Sequence, residues 1–434
     1  MIGWYSGTRG EPILRNRGAD RRSRRRRTSG AFATAFALTS VWSETVPARG
    51  LSFAEARHAA ERHAPDVQLA ALRLAGARAD VDTAGALPNP TLGLSTATRT
   101  AKLGTSLSLP LPVFGQRGTA VSAARADART VGLDVRVAQR DARWGATLAW
   151  LDLWEAEQRA RLLALGAGDA QRLLQIATEK YGAGSGSRVD VVRAGAGRAT
   201  AAAEADAASK DAAAAGARLS PWIGGDPRDS LEASGEPGYP DALVANGALD
   251  ERRASHPVLL RDQSAAAAAD AHVRNQERQR WPLLVPQVAL NQFDPTLSGP
   301  DLIVGVAIEV PLLYQRGGEI GRARAEQAIA RKQLEWDSLR LGSDLVDASR
   351  RAEGADAKLR ALKEQVLPAV QEAASLTEEG YSDGRMDLVR VLEAQRALLD
   401  ARTSEVGAVA ARARAIADME RSAGLDLTGV PGAR

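Results

Sequence analysis

The chain has 434 residues, no cysteine, four histidines, 4% aromatic residues and a formal charge of +4. The missing thiol excludes a disulfide scaffold, a thiolate zinc site, an iron–sulfur cluster and a cysteine nucleophile, and four histidines leave little for metal or acid–base chemistry. Nine arginines against three acids give residues 1–48 a charge of +6, so the rest of the chain carries −2 and the basic excess does not predict a nucleic-acid partner.

In chain order, residues 1–48 read as a signal peptide. The basic run Arg21 to Arg27 precedes an apolar stretch from Gly30 to Val41, and Val46-Pro47-Ala48 comes next as a small-residue cleavage site. The mature chain is then expected to begin near Arg49. Proline spacing divides the mature chain into two units, 49–242 and 243–424, with a C-terminal tail at 425–434. Each unit predicts a lead-in helix (52–86 and 243–280), two strands, a long helix (116–180 and 317–380), a glycine-containing turn and a return helix (187–218 and 386–422). The long helix spans ~100 Å at 1.5 Å per residue. Gly166 and Gly168 in one unit and Pro368 in the other are places where it could break. The segment 219–242, rich in Pro and Gly, links the units.

The duplication is visible in the residues. Pro112-Val113-Phe114-Gly115-Gln116-Arg117-Gly118 matches Pro311-Leu312-Leu313-Tyr314-Gln315-Arg316-Gly317 at an offset of 199, and Tyr181-Gly182-Ala183-Gly184 matches Tyr381-Ser382-Asp383-Gly384 at 200. His63-Ala64-Pro65 pairs with His256-Pro257, and Leu87-Pro88 with Trp281-Pro282. Asp190 and Asp387 each come after a tip glycine.

The strands, about 90–98, 103–113, 285–293 and 302–312, alternate apolar with small or polar residues, as in Leu103, Thr105, Leu107, Leu109 and Leu111 against Gly104, Ser106, Ser108 and Pro110. That pattern and length fit a transmembrane β-strand. Phe114, Trp281 and Tyr314 flank one end as an interfacial girdle. Glu309 falls on the small-residue face and would look into a lumen rather than at lipid. Four strands cannot close a membrane barrel, because the smallest have ~8, and an open edge in lipid leaves backbone groups unpaired. A trimer would supply twelve. Periodicity alone leaves two soluble hairpins on a helical bundle as an equal reading; the signal peptide and the repeat tilt toward the membrane.

The order helix, Leu87-Pro88-Asn89-Pro90-Thr91-Leu92, strand pair, Pro112 to Gly118, long helix and Tyr-x-x-Gly turn, all repeated, resembles the bacterial outer-membrane efflux family of TolC-like outer membrane factors. Gly380-Tyr381-Ser382-Asp383-Gly384-Arg385-Met386-Asp387-Leu388 is especially similar. The resemblance covers about 51–424. It implies a mainly α fold with a small transmembrane β part: a homotrimer with a twelve-stranded β-barrel in outer-membrane lipid, standing on a long α-helical barrel across the periplasm. It implies a passive exit duct, with a periplasmic adaptor and an inner-membrane pump, most often of RND type, as partners. Leu87-Pro88-Asn89-Pro90 is most like members that serve heavy-metal pumps. Many members carry a lipid-modified Cys near the mature N-terminus, and this chain has none. The alternative reading is a secreted or periplasmic coiled-coil scaffold or adaptor without a pore.

The resemblance also places the tip turns, with Tyr181, Gly182, Gly184, Tyr381, Asp383 and Gly384, at the pump-proximal end as the adaptor-docking site. Gly182, Gly184, Gly186 and Gly384 are suited to φ > 0 at a tight reversal, which explains them without any partner. Asp190, Arg385 and Asp387 are candidate aperture residues, since in a trimer each acid forms a ring of three carboxylates. The same acids are favourable at a helix N-terminus for local reasons. Neither the histidines nor any Ser/His/Asp order supports an enzyme, a metal centre or a cofactor. Trp144, Trp150 and Trp154 read as packing on the long helix.

Overall fold

The computed structural model describes residues 49–97, 102–239, 253–293 and 299–428. The expected signal peptide, 1–48, lies outside them.

Strand β1 (Arg49–Ser52) leads into α1 (Phe53–His63) through a capping box. The Glu55 amide donates to Ser52 Oγ at 3.3 Å, and Glu55 Oε2 accepts from the Ser52 amide at 2.9 Å. The expected single lead-in helix is two helices, α1 and α2 (Pro65–Gly85). Pro65 brings no N–H to the ladder and forces Ala64 into an extended conformation, with ψ 135°. Strands β2 (Thr91–Ser95) and β3 (Leu103–Ser108) come next, then α3 (Gln116–Gly182), α4 (Arg188–Ile223) and β4 (Leu231–Ser234), which pairs in parallel with β1. The second unit comprises α5 (Pro257–Arg278), β5 (Leu284–Gln292), β6 (Asp301–Ile308), α6 (Gly317–Ala361), a π-helical turn (Leu362–Val366), α7 (Leu367–Ser382) and α8 (Leu388–Ala423).

Three expectations change. Helix α3 runs unbroken through Gly166 and Gly168. Its counterpart is interrupted, because Pro368 cannot donate and its ring crowds the preceding turn; the N–H of Leu367 reaches back five residues to Leu362 instead. The interval from Gln315 to Tyr381 is one residue longer than that from Gln116 to Tyr181, and this turn absorbs the extra residue. The expected linker is partly ordered into the last turn of α4 and β4. The expected tail begins inside the core, with Leu427 buried.

Strands β2, β3, β5 and β6 form one antiparallel sheet in the order β2-β3-β5-β6. Strand β3 ends at Ser108, short of the expected 113, although the Leu109 amide still donates to the Pro286 carbonyl at 3.1 Å and Leu111 bridges Leu284; the missing N–H of Pro110 falls on the side away from β5. In the register Leu92↔Leu107↔Val288↔Val304 and Leu94↔Thr105↔Leu290↔Leu302, most large apolar residues of the four strands share one face, while Val285 and Ile303 lie on the other. The shared face is bare in the single chain: Leu94 is 71% and Val304 72% exposed. The other face carries Gly93, Ser106, Gln287 and Gly305.

The helices next to the sheet form a layer in the same order. Helix α3 packs on α2 on one side and on α5 on the other, and α5 packs on α6. Farther along, α3 packs on α4 and α8, and α8 on α6 and α7. Alanine is the commonest buried residue along the layer, and it lets the helices approach closely. At the waist stands a small aromatic cluster: Phe53 meets Trp150 and Tyr239 edge-on, each at 5.1 Å. Trp150 and Trp154 are buried there, as packing residues of α3.

Candidate functional site

The candidate site residues fall in two regions, the sheet and the two hairpin tips. Among the described residues no helix is long and apolar enough to cross a membrane; the sheet carries a bare apolar face. At its base Phe114 stacks on Trp281 with ring centroids 5.8 Å apart. Tyr314 is exposed, and its hydroxyl donates to Glu319 at 2.6 Å. Gln116, which sequence reasoning passed over, joins sheet to helix: its buried side chain donates to the Trp281 and Pro282 carbonyls at 3.2 and 3.1 Å and accepts from the Phe114 amide at 2.9 Å. Glu309 is not in the ladder of β6. It is the next residue after Ile308, exposed, and by alternation on the side of Gly305 and Ala307.

At the tips, Gly184 and Gly384 take φ +76° and +75°, where a Cβ would cost ~1–2 kcal/mol. Their amides donate to the Tyr181 and Tyr381 carbonyls, both at 3.1 Å. Gly182 and Gly186 do not adopt positive φ. Gly182 ends α3, and Gly186 is required for space, because a Cβ there would lie 2.8 Å from the Tyr181 amide nitrogen. In the second tip the bulk is exchanged: Gly380 makes room for Met386, whose Cγ would lie 2.9 Å from an added Cβ.

The two tips lie side by side through an apolar cluster of Leu173, Ala177, Ala194, Tyr381, Leu388 and Val391. Their tyrosines are not equivalent: Tyr381 is buried and Tyr181 half exposed. Tyr381 is covered by that cluster and by Lys180, also passed over. Its Nζ donates to the Tyr381 carbonyl and sits 4.1 Å from the centre of the Tyr381 ring. The aperture candidates are not brought together within one chain. Arg385 pairs with Asp383 inside its own turn. Asp387 caps α8, accepting from the Arg390 amide at 3.1 Å; its counterpart is Ser187, the cap of α4, and not Asp190 as the spacing after the tip glycines suggested. Asp190 lies near Tyr381: burial pushes the Tyr381 phenol above its usual range and the Asp190 carboxylate adds to that. Among the described residues no group of three or more His, Cys, Asp or Glu could hold a metal.

The sequence model of the outer membrane efflux protein family matches residues 56–225 and 248–425, one segment per unit. The chain belongs to this family. It is an outer-membrane efflux channel that extends into the periplasm, and the pore-less scaffold reading is not favoured. The efflux protein is 23% identical, over 83% of its length and 86% of the relative's, to the cobalt-zinc-cadmium resistance protein CzcC of Cupriavidus metallidurans. Its fold matches the outer membrane protein VceC of Vibrio cholerae with a TM-score of 0.70 at 17% identity, covering 86% of this chain and 96% of that one. It matches CusC with a TM-score of 0.73 at 15% identity, covering 86% and 92%.

Proposed function

We propose that this efflux protein works as a homotrimer, whose three sheets close a twelve-stranded barrel and whose helical layers close a duct beneath it. The observation that carries this is the open sheet. Strands β2 and β6 each have an unpaired edge, and each edge in lipid costs several kcal/mol per orphaned group. Head-to-tail pairing of β6 with β2 of the next copy removes both edges and extends the antiparallel alternation; a rotation that closes makes a ring. The small-residue face with Glu309 then lines the lumen, Phe114, Trp281 and Tyr314 sit at the membrane interface, and residues 1–48 are the export signal.

The tips, with Tyr181, Gly182, Gly184, Tyr381, Asp383 and Gly384, receive a periplasmic adaptor joined to an inner-membrane pump of RND type. Asp190, Arg385 and Asp387 ring the aperture. The duct is passive and performs no catalysis. Its cargo is a divalent transition-metal cation, a reading supported by the likeness to CzcC and by the Leu87-Pro88-Asn89-Pro90 segment. The test combines three measurements. Native mass spectrometry in detergent should give a trimer, planar bilayers should show discrete conductance, and deletion of the gene should lower tolerance to cobalt, zinc or cadmium. A monomer without conductance sinks the duct; unchanged metal tolerance sinks the cargo alone.

A further inference from the structure

Within one chain the two units meet where α3 packs on α5. Ala123 and Ala126 lie against Ala268 and Ala271, and Thr130 Oγ1 hydrogen-bonds Ser264 Oγ at 2.9 Å. Nearer the sheet this junction carries the Phe114–Trp281 stack and the Gln116 amide on the Trp281 and Pro282 carbonyls. The repeat relates α3 to α6 and α5 to α2. A second junction of the same kind therefore needs α6 on one side and α2 on the other. Those helices stand at opposite ends of the layer, so the second junction forms only between copies.

The repeat also gives the register. Above the π-helical turn α3 and α6 are offset by 199 (Gln116 and Gln315), and α2 and α5 by 192 (Pro65 and Pro257). Burial agrees: Val67 and Leu259, and likewise Ala70 and Asp262, are buried at both equivalent places. With these offsets Thr130 corresponds to Ile329, Ser264 to Leu72 and Phe114 to Leu313; the Leu87-Pro88 and Trp281-Pro282 motifs, 194 apart, match Trp281 to Leu87. The counterparts are apolar and bare: Ile329 is 66% exposed, Leu72 70%, Leu313 102% and Leu87 54%. Trp336 and Leu339 continue the bare stripe of α6, on the side away from its buried Leu345 and Ala348.

We infer that the α6 edge of one copy docks on the α2 edge of the next, with Ile329 against the neighbour's Leu72, Leu313 against its Leu87, and the Gln315 amide on its Leu87 and Pro88 carbonyls. The polar Thr–Ser pair and the aromatic stack of the internal junction become aliphatic pairs between copies. Aliphatic contacts suit a surface whose association is driven by removing apolar area from water. This inference rests on the ring assembly proposed above.

The chain has no cysteine, so introduced thiols report only on themselves. The full-length double variants Leu72→Cys/Ile329→Cys and Leu87→Cys/Leu313→Cys, purified from membranes and treated with oxidant or a short bismaleimide, should run mainly as covalent oligomers up to trimer. The single variants should stay monomeric on the same denaturing gel. Native mass of the untreated variants separates the two failures. A trimer that neither pair cross-links overturns this docking register and leaves the ring standing. A monomer overturns the ring, and this inference with it.

Discussion

His256 shows how one residue serves two ends of the chain. As the cap of α5 its Nδ1 accepts from the Val258 amide at 3.2 Å, and its Nε2 lies 3.1 Å from the Arg421 carbonyl. With Nδ1 accepting, the neutral ring donates from Nε2 to that carbonyl, while Arg140 stands 3.0 Å from the same nitrogen. Burial lowers the imidazole pKa from 6.5 to about 4; the Arg140 charge acts in the same direction and the Arg421 carbonyl opposes it. The unfolded chain takes up the proton first, so the stabilisation is complete above pH 6.5 and is lost as pH falls toward about 4. His256→Asn keeps a capping acceptor and removes the titration. The thermal midpoint of the variant should fall less steeply than that of the wild type between pH 6.5 and 4, and parallel curves would count against this account. The cap was legible in the sequence, since a polar residue before Pro at a helix start has few other roles. The burial against α8 was not, because Arg421 is 165 residues away.

At the scale of elements, the second long helix carries one residue more than the first and hides it in a π-helical turn with no buried residue. An extra residue elsewhere would rotate everything beyond it by about 100° and carry the buried stripe of α7 away from α8. Deleting Lys363 together with Pro368→Ala should therefore be tolerated, with circular dichroism and native mass unchanged. Deleting Glu335, inside the packed part of α6, should abolish assembly. If both deletions behave alike, the turn is not what absorbs the insertion. The change of offset from 199 to 200 was visible in the sequence; its location was not, because helical periodicity survives a single inserted residue on either side of it.

At the scale of the whole molecule, three distant segments are tied at the waist by Arg57. Its guanidinium pairs with Glu420 and, at 2.9 Å, with Asp426, and donates to the Tyr239 hydroxyl at 3.1 Å. Burial raises the Glu420 carboxyl and the Arg57 charge counters it. Arg57→Ala removes the main counter-charge of that buried carboxylate and leaves it only the Tyr239 hydroxyl at 2.9 Å and Arg143 at 3.5 Å, so the cost stays below the about 3–5 kcal/mol of a fully orphaned buried charge. The thermal midpoint in detergent should fall clearly, and Arg57→Met/Glu420→Met should restore much of it. A single variant as stable as the wild type would show that the network contributes nothing. None of this was legible beforehand, since Arg57, Tyr239 and Glu420 come from α1, the segment between the units and α8, and no local pattern joins them.

Local chemistry determined much of this protein. Period-two alternation marked the strands, proline and glycine marked the helix ends, and repeated motifs disclosed two units and their family. These are short-range signals, written within a few residues of where they act. Tertiary structure alone decided that the strands of both units share one sheet, that Lys180 of one tip packs on Tyr381 of the other, and that α2 and α6 are left with bare faces. Each of these depends on segments far apart in the chain coming together, and the free energy that selects among such meetings is the burial of surface that no single segment presents.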